Sequence, residues 1–289
     1  MEFKKFINNK NIKTFIDIKS IVEQEPYNIT IKEDIDIPNL YMLTYNKQKS
    51  DLTILWVKEC RGLIIEKETN KIICYTFNKK SYLDIDDESL MNLGNYKINY
   101  AFDGSQIRLF YYNNKWNYAT TRCINADKSY FYSKKSFKQL FLETSNHLDY
   151  NCLNIRHCYS FVLQHIENRI VVKYKKNNII HVLTRDLSID EYPIIDIDIN
   201  ITKPDNIKFN NIDDLKKELF NVRNYEGIML FKNNLFYKFR YEHFNKLKNL
   251  RKNTNNLFYE FIINKKNNTL VEYLKFYPEF IKLFKEYEF

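Results

Sequence analysis

Hydrophobic and polar positions alternate through much of this chain in short arms that break at polar turns. Four segments share the plan: Leu63 to Phe77 around Glu68-Thr69-Asn70, Gln106 to Thr121 around Asn113-Asn114, Arg169 to Leu183 around Asn177-Asn178, and Ile228 to Arg240 around Asn233-Asn234. Period-two alternation sends successive side chains to opposite faces of a strand, and asparagine tolerates the left-handed angles of tight turns. Each segment therefore predicts an antiparallel hairpin. Strand-like alternation also marks Tyr27 to Ile37 and Leu40 to Tyr45, after a short amphipathic start at Phe3, Phe6 and Ile7, and the first 58 residues predict an N-terminal flap on the main sheet. Helical spacing follows in Ser133 to Thr144, in Ile212 to Phe220 and again beyond residue 242, with a loop at Thr202 to Asn206. The result is an α+β fold of antiparallel sheets. The aromatic tail from Leu257 to Phe289, interrupted by Pro278, predicts a small helical module, so the chain divides into residues 1–248 and 249–289.

Composition changes this picture only at a few points. A chain of 289 residues can bury a full core. The abundance of Tyr and Phe, beside Asn, Lys and Ile, reads as a bias towards A/T-rich codons. The net charge of +9 suits a polyanionic partner. Cys60, Cys74, Cys123, Cys152 and Cys158 show no C-x-x-C spacing, and their odd number argues for reduced thiols in a cytoplasmic setting. No signal peptide or apolar run of membrane-spanning length stands out. Of only four glycines, three follow a charged residue, in Arg61-Gly62, Asp103-Gly104 and Glu226-Gly227. Glycine kept so sparingly marks backbone that must turn or approach closely, and these points are candidate walls of one site.

The central stretch is Tyr100-Ala101-Phe102-Asp103-Gly104-Ser105. It resembles K-x-D-G, the active-site signature of the covalent nucleotidyltransferases, the superfamily of nucleic-acid ligases and capping enzymes, with Ala101 standing where that family has lysine. There the lysine loses a proton and attacks the α-phosphorus of a nucleotide, which needs a desolvated or cation-flanked setting. A methyl group cannot form that phosphoramide. The chain holds only three alanines (Ala101, Ala119 and Ala126), so Ala101 reads as a lysine-to-alanine change that halts the enzyme before self-nucleotidylation. The competing reading is a natural pseudo-enzyme that binds without reacting.

Further segments fall in the order of an RNA ligase of the phage RNA ligase 1 type, over roughly residues 50 to 245. Glu59-Cys60-Arg61-Gly62 resembles the element upstream of the nucleophile, where the resemblance implies that Arg61 grips the triphosphate. Asn78-Lys79-Lys80-Ser81-Tyr82 implies a pyrophosphate contact from Lys80. Alternation places Asn99, Ala101 and Asp103 on one strand face, and Asp103 and Gly104 take the family's nucleotide-binding positions. Arg122, in Thr120-Thr121-Arg122, stands where motif Ia contacts ribose or acceptor RNA. The run Phe161 to Val171 resembles motif III, with Phe161 implied to stack on adenine and Gln164 in the carboxylate slot facing ribose; His165 reads as structural and Glu167 as a loop charge. Glu226-Gly227 matches motif IV, a carboxylate for a divalent ion, and Lys238 and Arg240 match motif V, with Phe244 in place of a tyrosine.

The resemblance implies an antiparallel-sheet, ATP-grasp-like nucleotidyltransferase domain at 1–248 and an ATP-dependent RNA ligase that uses Mg2+ or Mn2+. Such an enzyme joins 5′-phosphate and 3′-hydroxyl RNA ends through enzyme-AMP and RNA-adenylate intermediates, as a monomer that does not engage membranes. DNA ligases and capping enzymes carry an OB-fold downstream, for which the stretch after Arg240 is too short.

Overall fold

The computed structural model describes residues 1–82, 92–221, 224–232, 234–252 and 254–287. Asn233 of the last expected turn and Phe289 of the tail lie outside the described residues. The chain opens with α1 (Glu2–Asn9) and α2 (Phe15–Val22), the latter started by a Thr14/Asp17 capping box. Then come β1 (Ile29–Glu33), β2 (Leu40–Tyr45), the short α3 (Leu55–Glu59), β3 (Arg61–Glu66) and β4 (Ile72–Cys74). These four strands form an antiparallel sheet in chain order. Phe3, Ile18, Val22, Tyr41, Trp56 and Leu63 share its core, and the buried Glu59 carboxylate accepts the backbone N–H groups of Glu2 and Phe3 at 3.0 and 2.8 Å. The first 58 residues thus pair directly with the strand that carries Arg61.

The chain continues through β5 (Ser81–Tyr82), β6 (Lys97–Ala101), β7 (Ser105–Tyr112), β8 (Lys115–Thr120), α4 (Phe137–Thr144), β9 (His157–Gln164), β10 (Asn178–Asp186), β11 (Ile194–Ile195) and β12 (Asn206–Ile207). Beyond them lie α5 (Ile212–Asn221), β13 (Gly227–Lys232), β14 (Leu235–Arg240), α6 (Glu242–Arg251), α7 (Leu257–Lys266), α8 (Leu270–Phe276) and α9 (Ile281–Glu286). A second antiparallel sheet has the order β11-β10-β9-β7-β8. A third has the order β12-β6-β13-β14-β5, antiparallel except for the parallel β14–β5 pair.

Three of the four expected hairpins are present, as β3–β4, β7–β8 and β13–β14. The hairpin around Asn177-Asn178 is not. Its second arm is β10, but β10 pairs with β9, and residues 169–176 run irregularly between them. The cause is local. The N–H groups of Val171 and Val172 are both taken by the Asp103 carboxylate at 2.9 Å, and the Asn177 side chain accepts the N–H of Ile166 at 2.9 Å, so both the middle of this arm and its turn are tied to partners outside a hairpin ladder.

Alternation divides the third sheet cleanly. Ile98, Ile228, Leu230 and Phe239 pack with Leu215 of α5 on one face. Ala101, Met229 and Phe236 gather with Phe77 and Leu183 on the other. The helices α6 to α9 enclose a separate core of Phe244, Leu247, Phe261, Tyr273, Tyr277 and Phe284 that reaches Val171, and residue 249 falls inside α6.

Candidate functional site

Between the second and third sheets lies a cavity of about 690 Å³, within the range of small-molecule sites. Its geometry follows from register. Ala101 sits opposite Gly227, which sits opposite Arg240, while Asn99, Met229 and Lys238 form the next row. All of these line the cavity except Gly227, beside which Glu226 does. Gly227 cannot carry a side chain: at φ +157° a Cβ would lie 1.8 Å from the Phe239 carbonyl oxygen. The row between residue 101 and Arg240 is therefore left open.

Glu226 is the centre of charge. Its N–H donates to the Ala101 carbonyl at 2.6 Å, Arg240 Nε donates to Oε1 at 2.8 Å, and Lys238 Nζ pairs with Oε2. Burial opposes charge on this carboxyl, but Lys238, Arg240 and Lys248 outweigh it and hold its pKa well below the usual carboxylate range. The same burial pushes Lys238 below the ordinary lysine range against the pull of Glu226. Lys80, 4.8 Å from the centre of the Phe77 ring, is lowered much further, by burial first and then by Lys238 and Arg61. A wall on which several cations surround the Glu226 carboxylate is a setting for phosphate, and the other lining carboxylate, Asp196, is paired with Lys203 at 2.8 Å.

Arg61 enters the same cavity from β3, and its guanidinium donates to Gln106 Oε1 at 2.8 Å, with Gln106 in turn donating to Ser160 at 2.7 Å. A second cleft of about 600 Å³ shares Arg61, Lys80, Gln106 and Arg240 with the first and adds Lys47, Lys79, Arg122, Tyr130 and Phe131. Among the described residues, none of those lining it is acidic. Lys47 is lowered by burial and then by Arg122, Lys248, Arg240 and Arg61, the mark of cations facing one another across a gap.

Several expected residues stand elsewhere. Asp103 is buried and turned away from the cavity: Oδ2 takes the N–H groups of Val171 and Val172 and, at 3.2 Å, the Tyr174 hydroxyl. Burial, then Glu226, raise its pKa despite those donors. Gly104 does reach the cavity, and a Cβ there would lie 2.5 Å from the Leu163 carbonyl. Gln164 donates to the Asp103 carbonyl at 3.0 Å, bracing the turn instead of lining the cavity. Phe161 is fully buried beneath β9 with Phe141 and Ile179, on the face opposite the cavity, so it has no ring to offer a base. The β9 residue on the cavity wall is Val162. Arg122 lies in the second cleft only.

Three wall residues escaped the sequence reading. Val162 was legible in the alternation of β9, where Tyr159, Phe161 and Leu163 form the bulky face and Ser160 and Val162 the other. Lys248 follows Phe244 by one helical turn on α6, and its pKa is lowered by burial, opposed by Glu226. Asn99 had no signal beyond its strand face; its amide nitrogen donates to the carbonyls of Pro204 and Asp205 at 3.3 and 2.7 Å. Away from the cavity, Glu143, His165 and Glu167 cluster closely, but the Lys135 ammonium already bridges the two carboxylates at 2.9 and 2.8 Å.

No protein-family model matches the chain. It is 33% identical over 129 residues to a protein described as an immediate-early protein ICP-46 homolog of Invertebrate iridescent virus 3, a match over 39% of this chain and 29% of that one. It is 29% identical over 158 residues to a protein of Autographa californica nuclear polyhedrosis virus described as a bifunctional polynucleotide kinase/RNA ligase, over 47% of this chain and 22% of that one. The chain therefore spans less than a third of the length of either of these curated relatives. Among solved structures, a protein described as an ATP-dependent DNA ligase of Aquifex aeolicus superposes with TM-score 0.47 at 15% identity, covering 81% of this chain and 63% of that one. A lysine-to-alanine variant of Naegleria gruberi RNA ligase with ATP and Mn gives TM-score 0.40 at 9% identity, covering 75% and 76%. In sequence and in the order of its motifs, the chain resembles the RNA ligases of the covalent nucleotidyltransferase superfamily.

Proposed function

We propose that the parent of this chain, with lysine at position 101, is an ATP-dependent RNA ligase that joins 5′-phosphate and 3′-hydroxyl RNA ends. The observation that carries the reading is convergence: Arg61, Lys80, residue 101, Glu226, Lys238 and Arg240 come from three strands and two loops and line one cavity. In the first step, the amine at position 101 attacks the α-phosphorus of ATP and the bond to pyrophosphate breaks. Lys80 and Arg61 receive the departing charge, and the surrounding cations lower the pKa of the attacking amine. AMP then passes to an RNA 5′-phosphate, and a 3′-hydroxyl displaces it to close the phosphodiester.

The second cleft, lined among the described residues by Lys47, Arg61, Lys79, Lys80, Arg122 and Arg240 and by no carboxylate, suits the RNA phosphates. For the nucleotide, both donors of the Asn99 amide are spent on backbone carbonyls, so its oxygen is the atom left to meet a base. An acceptor there favours an exocyclic amine, as adenine presents, over the carbonyl of guanine. Of the two carboxylates that line the cavity, Glu226, next to the strand pair that carries residue 101, would hold Mg2+ or Mn2+, and such an ion would neutralise charge on the phosphates. Both of its oxygens already accept from cations, a donor set that suits an ion held through water.

With Ala101 the first step has no nucleophile, while sealing of RNA that arrives already adenylylated does not call on that amine. The second reading is a natural pseudo-ligase that binds nucleotide or RNA, and Ala101 itself favours it. Ala101→Lys incubated with labelled ATP and Mg2+ separates them. Covalent label appearing only in the lysine form supports the ligase, and a protein that binds ATP yet stays unlabelled is a binder.

A further inference from the structure

Cys74 on β4 and Cys158 on β9 belong to different sheets, yet their sulfur atoms meet at 3.1 Å in the core between them, and neither residue is exposed to solvent. We propose that these two thiols are an oxidation site, closing to an intramolecular disulfide when the protein meets a hydroperoxide. The remaining cysteines do not share this arrangement: Cys60 donates to the Trp56 carbonyl, Cys123 to the Asn125 carbonyl and Cys152 to Asp149.

The chemistry needs one thiol to ionise. Burial works against that at both sulfurs, but the contact with Cys158 and the nearby Arg108 guanidinium hold Cys74 below the ordinary thiol range, while burial and its partner keep Cys158 well above. With Cys74 as the attacking thiol the reaction balances, and with the roles exchanged it gives the same disulfide. The Cys74 thiolate takes the terminal oxygen of hydrogen peroxide, releasing one water after proton transfer and leaving a sulfenic acid. Cys158 then attacks the Cys74 sulfur and expels the second water, so that two thiols and one peroxide give one disulfide and two waters. A disulfide sets its sulfurs about 2.05 Å apart, so closure asks each sulfur to move only about half an ångström. Peroxide is small enough to reach the pair through local opening.

The pair joins the first sheet to the second, a few residues along each chain segment from side chains that line the cavity. Phe77 and Lys80 follow Cys74 closely, and Ser160, which holds Gln106 and through it Arg61, and Val162 follow Cys158. A bond at this point ties the first sheet, which carries Arg61, to the second, which carries Gln106 and Val162.

The test uses the unmutated protein. It is treated with hydrogen peroxide, its remaining thiols are blocked, and it is digested without reductant and mapped by mass spectrometry. The expected result is a peptide containing Cys74 joined to one containing Cys158, about two mass units lighter than their sum and split by dithiothreitol. The melting temperature should rise by roughly 5 to 10 °C on oxidation, and not at all in Cys74→Ser or Cys158→Ser. Recovery of both residues as free, blockable thiols after denaturation overturns the proposal. So does oxidation of Cys74 that stops at the sulfinic acid, or its linkage to any cysteine other than Cys158. None of these readouts depends on ligase activity, so the thiol inference and the functional reading stand or fall separately.

Discussion

Glu226 and Glu260 are both buried carboxylates set against an arginine, one at the start of β13 and the other inside α7, yet their surroundings drive them in opposite directions. Glu226 meets Lys238 and Arg240, with Lys248 nearby, and opens on a cavity; the excess of cations keeps it charged. Glu260 pairs with Arg251 and accepts the Tyr273 hydroxyl at 2.7 Å within the helical core, where burial outweighs both and raises its pKa. Arg251 is itself wrapped by the rings of Phe131, Tyr132 and Phe280. The difference is one of surplus. A buried pair that balances itself is architecture, while a buried carboxylate with more cations than it can neutralise leaves positive charge for a ligand.

The comparison is most exposed to failure in the Ala101→Lys background. There Glu226→Gln should lower self-adenylylation by about 10³-fold, equivalent to roughly 4 kcal/mol, by single-turnover labelling. Glu260→Gln should leave the labelling rate within about twofold, since Glu260 does not line the cavity. Next in size, Arg251→Met should cost about 3 to 5 kcal/mol in urea unfolding by stranding Glu260, and Arg251→Met with Glu260→Leu should recover most of it. Failure of the double variant to recover would make the pair more than a self-contained strut.

The two carboxylates should also tilt stability against pH in opposite senses. Glu226 has a folded pKa below the ordinary value, so its contribution is present above the ordinary carboxylate range and lost as pH falls towards the folded pKa. Glu260 has a raised folded pKa, so its contribution is present below the ordinary range and lost as pH rises through that folded value. Urea titrations of Glu226→Gln and Glu260→Gln between about pH 4 and pH 7 should therefore change the slope of stability with opposite signs. Two smaller effects complete the set. Asn99→Leu should reduce the preference for ATP over GTP by about tenfold in labelling of the Ala101→Lys form. Phe161→Leu should cost about 1 kcal/mol of stability and leave ATP affinity unchanged, because the ring lies in the core and not at the nucleotide.

How far the sequence could be read differs between these regions. Glu226, Lys238 and Arg240 were legible because Glu-Gly and a period-two pair of cations lie within one hairpin, where local alternation fixes the face. Phe161 and Gln164 were not, because a motif gives the order of residues and leaves open which parity of the strand meets the ligand. Asp103 shows a different limit. Its strand parity pointed to the cavity, but the strand ends at Ala101, and beyond that point the carboxylate turns to the donors of the 171–174 segment. The lost third hairpin has the same origin.

By itself the sequence determined the α+β class, three hairpins and their turns, the order of the motifs and the alanine at the centre of the Asp103-Gly104 motif, all of them properties of neighbours along the chain. Only the tertiary structure decided that Val162, Lys248 and Asn99 share a wall with Arg61 and Glu226, that Asp103 braces a loop, and that Cys74 meets Cys158 across 84 positions of sequence. Those facts depend on how three sheets stack, and stacking is set by the sum of many weak apolar contacts that no short stretch of residues encodes.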